Sequence, residues 1–221
     1  MRDWDWVSIA GIATALGTLV LAFATFGATR SANRAARTAE LALLENLRPL
    51  LVTSRLQDAA EKVLFGDGRW LMVEGGRAAV EPTDTAIYFL LGLRNVGQGI
   101  AVLHGWDLTV DTFGTRQPPP DPSTFRTQTR DLFIPAGDTG YWQGALRDPA
   151  APLFADVARA IRERRPLTVD VLYGDHEGGQ RMISRFAMLP REDEAGALRW
   201  YTSSSRHWNL DRPEPRQHQE P

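Results

Sequence analysis

The feature that most constrains this chain is an early stretch, residues 7–29, that contains no charged side chain. Asp5 precedes it and Arg30 follows it, so its ends are sharply marked. It exceeds the roughly 20 residues that a helix needs to cross the hydrocarbon core of a bilayer. A helix also satisfies its own backbone hydrogen bonds in lipid. We therefore expect residues 1–29 to form a transmembrane anchor, which makes the lipid bilayer the first partner of the chain.

Two other interpretations of this stretch stay open. A secretory signal peptide has a positive start and a shorter apolar core, whereas Arg2 is accompanied here by Asp3 and Asp5. The triplet at residues 22–24 nevertheless imitates a cleavage site. A buried helix of a soluble domain would be unusually long for such an uninterrupted apolar run. The pattern favours the anchor over both.

The arginines around the anchor predict its orientation. Arg30, Arg34 and Arg37 follow the apolar stretch, and only Arg2 precedes it. Since basic residues concentrate on the cytoplasmic side, we expect a single-pass protein of the inner (plasma) membrane, with its N-terminus outside and its C-terminal domain in the cytoplasm. The lack of cysteine agrees with a cytoplasmic location.

Residues 30–49 are predicted to continue the anchor as a juxtamembrane helix that Pro49 ends. A row of mostly small residues, spaced alternately by four and three, runs through both segments. Such rows let helices approach closely in lipid and predict a homo-oligomer, although an alanine-rich helix can produce one by chance. The members of this seam are Gly11, Ala15, Thr18, Ala22, Thr25, Thr29, Ala32, Ala36, Ala39 and Leu43.

From residue 50 the apolar pattern becomes that of short strands separated by turn residues. We expect strands within residues 50–57, 63–65, 70–73, 85–94, 100–110, 130–134, 140–146, 167–173, 181–189 and 199–204, and one helix within residues 148–164. Residues 74–84 and 112–128 are expected to be loops, and residues 211–221 a disordered tail. The prediction for residues 50–210 is therefore a mainly antiparallel, immunoglobulin-like β-sandwich with one inserted helix.

Several features of the chain together resemble a known kind of protein. They are the N-terminal span, the alanine- and arginine-rich helix that ends at Arg48 and Pro49, a Leu-Arg-Asn-Val-Gly-x-Gly motif at residues 93–99, and a Leu-Tyr-Gly-Asp motif at residues 172–175. The chain resembles a broad group of uncharacterised bacterial single-span membrane proteins with a cytoplasmic β-sandwich domain. The resemblance implies the fold and the anchoring, and it implies no catalytic residues.

Charge and composition narrow the function classes. The net charge is −2, with 25 Lys and Arg against 27 Asp and Glu, so we expect no nucleic-acid partner. The absence of cysteine excludes disulfides, thiolate zinc sites and a cysteine nucleophile. No phosphate-binding loop or other cofactor motif is present, and we expect no cofactor.

One polar loop cluster offers candidate chemistry. His104, Asp175, His176, Glu177 and His207 lie near expected strand ends and would form a nitrogen and oxygen site for zinc or manganese if those ends met. No His-x-His spacing supports this site, and the same residues are typical of a polar hairpin turn. The serines at residues 203–205 lie near His207, but nothing supplies the turn of a serine hydrolase.

The sequence therefore predicts a membrane-anchored binding or interaction module with an unknown protein partner or a second copy as its target. It identifies no catalytic, cofactor-binding or metal-binding residue. A metal-dependent hydrolase that uses the histidines of the loop cluster is one alternative, and a small-ligand sensor is another. Trp70, Trp106, Trp142 and Trp200 lie in expected strands, where core packing is the default and an aromatic binding platform the alternative.

Overall fold

A computed structural model describes residues 6–111 and 119–212 of the chain. It divides into two compact units, Met1–Glu45 and Asn46–Pro221. The first unit is helical, and the second contains a mainly antiparallel β-sheet domain with two short helical elements.

The described residues of the first unit all lie in one unbroken helix, α1 (Trp6–Asn46). Among the described residues it is the one helix that is long and apolar enough to cross a membrane. Its large apolar side chains are exposed, as lipid-facing ones would be, and Phe23 is 70% exposed. Its threonine hydroxyls donate to carbonyls one turn earlier, for example Thr14 to Ala10 and Thr25 to Leu21, so they need no outside partner in lipid.

The second unit contains eleven strands and an α-helix, α2 (Pro152–Arg162), in the described residues. A single turn of 3-10 helix, Pro122–Thr124, precedes the seventh strand. The strands are β1 (Leu51–Thr53), β2 (Glu61–Leu64), β3 (Trp70–Val73), β4 (Arg77–Pro82), β5 (Ile87–Asn95), β6 (Ala101–Val110), β7 (Arg126–Ile134), β8 (Thr139–Leu146), β9 (Leu167–Gly174), β10 (Arg181–Glu192) and β11 (Leu198–Asn209).

Nine of these strands form one antiparallel sheet, in the order β1-β5-β4-β11-β10-β9-β6-β7, with β8 also paired to β5. β2 and β3 form a separate hairpin. Among the described residues, β7 and β8 each have one ladder partner, but side chains join them: Arg130 of β7 donates to the hydroxyl of Tyr141 and to the side-chain oxygen of Gln143 in β8. The two strands therefore lie side by side without forming a ladder.

One hydrophobic core receives buried side chains from all nine strands of this sheet and from α2. Trp142 is fully buried there and meets Trp106 edge-on, with ring centroids 5.4 Å apart. Val157 and Ala160 of α2 face the same core, so the helix packs against the sheet through its apolar side. Burial of this large apolar area is the main stabilising term of the domain.

The β2–β3 hairpin covers the opposite face of β5. Val63, Phe65, Leu71 and Val73 pack with Ala86, Tyr88 and Leu90 in a second cluster. Since β5 is covered on both faces, nearly all its residues are buried, as its continuous apolar run predicts.

Asn95, at the end of β5, holds the chain that follows α1. We call residues 47–53 the exit segment. The buried Asn95 accepts hydrogen bonds from the backbone of Leu50 and Gly97 and donates to the carbonyls of Gly99 and Ile134. The glycines of this motif are needed for the same contact, since a Cβ on Gly99 would stand 1.7 Å from the carbonyl oxygen of Leu47. The Asn-Val-Gly-x-Gly motif at residues 95–99 thus holds the exit segment in place, and we call this motif the seat of the exit segment.

Two expectations for the chain after residue 50 were wrong. Residues 74–84 were expected to be a loop, but β4 lies within them, because its register with β5 (Ala78 opposite Leu91, Val80 opposite Phe89) overrides its glycine- and proline-rich flanks. β7 begins at Arg126, inside an expected loop, while residues 112–118 and 213–221 lie outside the described residues. The immunoglobulin-like sandwich stays a prediction.

Candidate functional site

The residues of the polar loop cluster separate into two places. His104 lies on β6 beside the end of β9, where its Nε2 is 3.0 Å from the position that a Cβ on Gly174 would take. Burial and the charge of Arg181 lower the pKa of His104, although Asp131 and Asp175 oppose the shift. His104 and Asp175 are therefore neighbours.

Asp175 is already committed to the turn between β9 and β10. Its carboxylate accepts hydrogen bonds from the backbone of Gly179 and Gln180, at 2.8 and 3.2 Å. His176 and Glu177 lie at the exposed tip of that turn. No group of three or more histidine, aspartate or glutamate side chains in the described part of the chain is placed to hold a metal ion. This arrangement matches a polar hairpin turn rather than a metal centre.

His207 belongs to a different, buried cluster. Its Nδ1 lies 2.9 Å from the hydroxyl of Ser184 and 3.3 Å from that of Tyr173. Tyr173 accepts a hydrogen bond from the backbone of Leu51, and burial raises the pKa of Tyr173 to about 12. Ser184 is only 2% exposed, so this serine–histidine pair fastens the exit segment and offers no access to a substrate.

Stability should depend on pH through His207. Burial is the main cause that lowers the pKa of His207 below 6.5; Arg48 adds to the shift and Asn209 opposes it. The folded state then holds fewer protons than the unfolded state below about pH 6.5, so stability is lost as the pH falls through the lowered pKa. His207→Gln should remove up to about 1.4 kcal/mol per pH unit of that slope.

The measurement is the unfolding free energy of the parent and the variant between about pH 8 and about pH 5. His176→Gln is the matched control, because it removes a histidine at the exposed tip of the β9–β10 turn, outside this cluster. Identical pH slopes for the parent and His207→Gln would contradict the assignment.

The strongest candidate site is a cleft of about 500 Å³ between β7 and β8. Trp106 of β6 lines it, together with residues 126–129 of β7, residues 143–145 of β8, the nearby Arg147 and the β2–β3 turn at Asp67. Its volume falls in the ordinary range for ligand sites. Sequence patterns missed this cleft because β7 was expected to begin only at residue 130.

Two arginines make the cleft cationic. The guanidinium of Arg126 stands 5.6 Å from the ring centre of Trp106, and among the described residues it makes no ion pair. Arg147 pairs with Asp67 at 3.3 Å. Partial burial would raise the pKa of Asp67, but hydrogen bonds from Tyr88, Arg69 and Arg147 outweigh it and lower that pKa, so Asp67 stays ionised. Among the described residues of the cleft, Arg147 thus has an ion pair and Arg126 has none.

Polar groups in the cleft have unused hydrogen-bonding capacity. Gln128 is 9% exposed; its Nε2 donates to the backbone carbonyl of Gln143 at 3.0 Å, and its buried Oε1 has no hydrogen-bond partner among the described residues. An unpaired buried acceptor costs free energy unless a ligand or water supplies a donor. The cleft is therefore suited to a ligand with both a negative charge and an N–H or O–H group.

The four tryptophans of the expected strands divide between core and surface. Trp106, Trp142 and Trp200 are buried, and Trp70 is 53% exposed under the ammonium of Lys62. Only Trp106 faces the cleft.

The residues of the small-residue seam are placed along α1, and those from Gly11 to Leu43 have exposed surfaces. A Cβ on Gly11 would meet nothing within 4 Å. The homo-oligomer stays a prediction.

Comparison with known proteins adds little. No family model matches the chain. No curated protein matches it either. A crystal structure of a protein from Archaeoglobus fulgidus is 11% identical, covers 61% of this chain and 94% of that chain, and gives a TM-score of 0.25. A likeness of that degree carries no argument about fold or function, so the case for function depends on the residues themselves.

Proposed function

We propose that this chain is a single-span membrane protein whose β domain is a cytoplasmic binding module. The exposed apolar surface of α1 supports the anchor. Arg30, Arg34 and Arg37 beyond the apolar stretch support the orientation, since basic residues favour the cytoplasmic side. The inner (plasma) membrane is the location that this orientation implies.

We assign the proposed binding function to the cleft between β7 and β8. It combines an aromatic wall, an arginine without an ion pair among the described residues, and a buried acceptor without a partner. Convergent polar groups beside an aromatic surface are typical of binding sites. Binding is the function that this geometry supports best.

We also propose that the nine-stranded sheet folds over its own core as a sandwich of the immunoglobulin-like kind, as in the group that the sequence resembles. One core that receives side chains from every strand of the sheet supports this arrangement. Loops and open strand edges of such domains serve binding without catalytic groups.

Site-specific photo-cross-linking in cells tests the binding function. A photoreactive phenylalanine analogue at Thr127 or Thr129, both exposed on β7, should give discrete adducts after irradiation. The same analogue at Glu163, exposed at the end of α2, is the matched control and should give none. Adducts should weaken when Arg126 is replaced by alanine. Equal adducts from all three positions, or none from β7, would contradict a binding cleft.

A further inference from the structure

We propose that the cleft binds an extended peptide segment with an acidic side chain, and that this peptide adds as a strand to the free edge of β8. This inference depends on the proposed binding function and names the class of partner. Strand addition uses main-chain hydrogen bonds for affinity and side-chain pockets for specificity. The cleft offers both.

The free edge follows from the hydrogen-bond pattern of β8. The carbonyl of Gln143 accepts from the side chain of Gln128 on the β7 side, so the backbone of Gln143 points away from β5. In an antiparallel strand, every second residue directs its N–H and C=O to the same side. Ala145 therefore presents its backbone groups to the cleft, where β8 has no ladder partner among the described residues.

The bond from Gln128 shows what this edge can accept. A side-chain carboxamide donates to the carbonyl of Gln143 at 3.0 Å, in the place where the backbone amide of a neighbouring strand would donate. Farther along, Arg130 bridges the two strands to Tyr141. The bridged part closes one end of the cleft, and the backbone of Ala145 lies in the open part.

The charge of the cleft selects the side chain of the peptide. Asp67 neutralises Arg147, whereas Arg126 contacts the ring of Trp106 and makes no ion pair among the described residues. A guanidinium in that state favours a carboxylate, which it can bind through two hydrogen bonds. Burial raises the pKa of Asp107, on the neighbouring position of β6, and the charge of Arg126 opposes this shift; the two side chains form no ion pair among the described residues.

The buried oxygen of Gln128 adds a further point of contact. Among the described residues, no group donates a hydrogen bond to its Oε1, and a backbone N–H of an added strand would donate one. Gly144 and Ala145 are small, so they leave space in the cleft on the side of β8. The site is thus complementary to a backbone donor and a carboxylate at once, which an extended acidic peptide provides.

Direct binding of defined peptides tests the proposal. The full chain in lipid nanodiscs is titrated with fluorescein-labelled octapeptides of alternating valine and threonine, each with one glutamate at a different position. At least one should bind saturably. Replacing its glutamate by glutamine, or N-methylating alternate backbone amides, should weaken binding about tenfold or more.

Variants of the chain locate the binding. Arg126→Gln should weaken the glutamate peptide about tenfold and leave the glutamine peptide unchanged. Ala145→Pro removes a donor from the free edge and spares the ladder to β5, so it should abolish binding of both. Arg164→Gln, which changes an exposed arginine at the end of α2, is the control. If Ala145→Pro shows no cooperative unfolding, the variant is not folded. The N-methylated peptides then test the main-chain hydrogen bonds in its place.

Three outcomes would overturn strand addition. The first is binding that is indifferent to N-methylation. The second is competition by free glutamate at the concentration of the peptide, which would indicate a small-molecule pocket. The third is the failure of every peptide to bind while the β7 positions still form photo-adducts; in that case the binding function stands and only its ligand class is wrong.

Discussion

Replacing Asp170 by alanine should lower the unfolding free energy by about 3–5 kcal/mol, one of the two largest effects expected in this domain. Asp170 of β9 and Arg185 of β10 form a buried ion pair with hydrogen bonds of 2.7 and 2.6 Å. Their side chains are 2% and 6% exposed. The variant removes the carboxylate that binds Arg185, whose guanidinium stays buried over the ring of Trp208.

The pair itself is costly to bury. Burial raises the pKa of Asp170, although the hydrogen bonds and charge of Arg185 act against the shift. A double change to Leu at Asp170 and Met at Arg185 should therefore be milder than Asp170→Ala alone, since it removes both buried charges. This comparison separates the free-energy cost of breaking the ion pair from the cost of lost packing.

Chemical denaturation of the parent and variants is the measurement. Asp156→Ala breaks the exposed pair with Arg159 on α2, whose side chains are both more than half exposed, and should change stability by about 0.5 kcal/mol at most. If Asp170→Ala costs no more than Asp156→Ala, the buried pair does not have the role given to it here.

The second large effect is expected at the seat of the exit segment. Asn95→Ala removes two buried hydrogen bonds, to the carbonyls of Gly99 and Ile134, and two half-buried ones, from the backbone of Leu50 and Gly97. Each unsatisfied buried group costs about 1–3 kcal/mol, so a loss of about 3 kcal/mol or more is expected. Amide hydrogen exchange should also quicken at Leu50 and Leu51, because Asn95 holds the segment that contains them.

Gln98→Ala is the matched control in the same loop. The side chain of Gln98 is exposed, and its backbone N–H to the carbonyl of Arg48 is unaffected by the change. We expect a change within about 0.5 kcal/mol and no change of exchange in the exit segment. Asn95→Ala with parent-like exchange at Leu50 would contradict the role of this seat.

Local periodicity was enough to predict much of the fold. The uncharged run predicts α1, and the doubly apolar run of residues 85–94 predicts a strand buried on both faces, which β5 confirms. β4 was missed because Glu81 and Pro82 disguise a strand that pairs with its neighbour β5 and also with the distant β11. Pairing partners far apart in the chain are invisible to a local pattern.

The candidate site depended on such distant pairing even more. The cleft between β7 and β8 forms because one sheet brings together β7, which pairs with β6, and β8, which pairs with β5. No local sequence pattern marks Arg126 or Gln128 as residues of this cleft. For the same reason His207 was grouped with nearby serines, whereas its partner is Ser184 on the adjacent strand. Side chains in a sheet meet across strands, and their spacing in the sequence then carries no information.

Single-cysteine labelling tests whether the domain is cytoplasmic and attached to a single membrane span. The native chain has no cysteine, so Arg2→Cys and Glu194→Cys each introduce one unique thiol. Glu194 lies in the exposed turn between β10 and β11. Spheroplasts of a bacterial host that express either variant are treated with a membrane-impermeant maleimide. Arg2→Cys should be labelled in intact spheroplasts, and Glu194→Cys only after the membrane is opened. Labelling of Glu194→Cys in intact spheroplasts, or recovery of the chain outside the membrane fraction, would contradict the account.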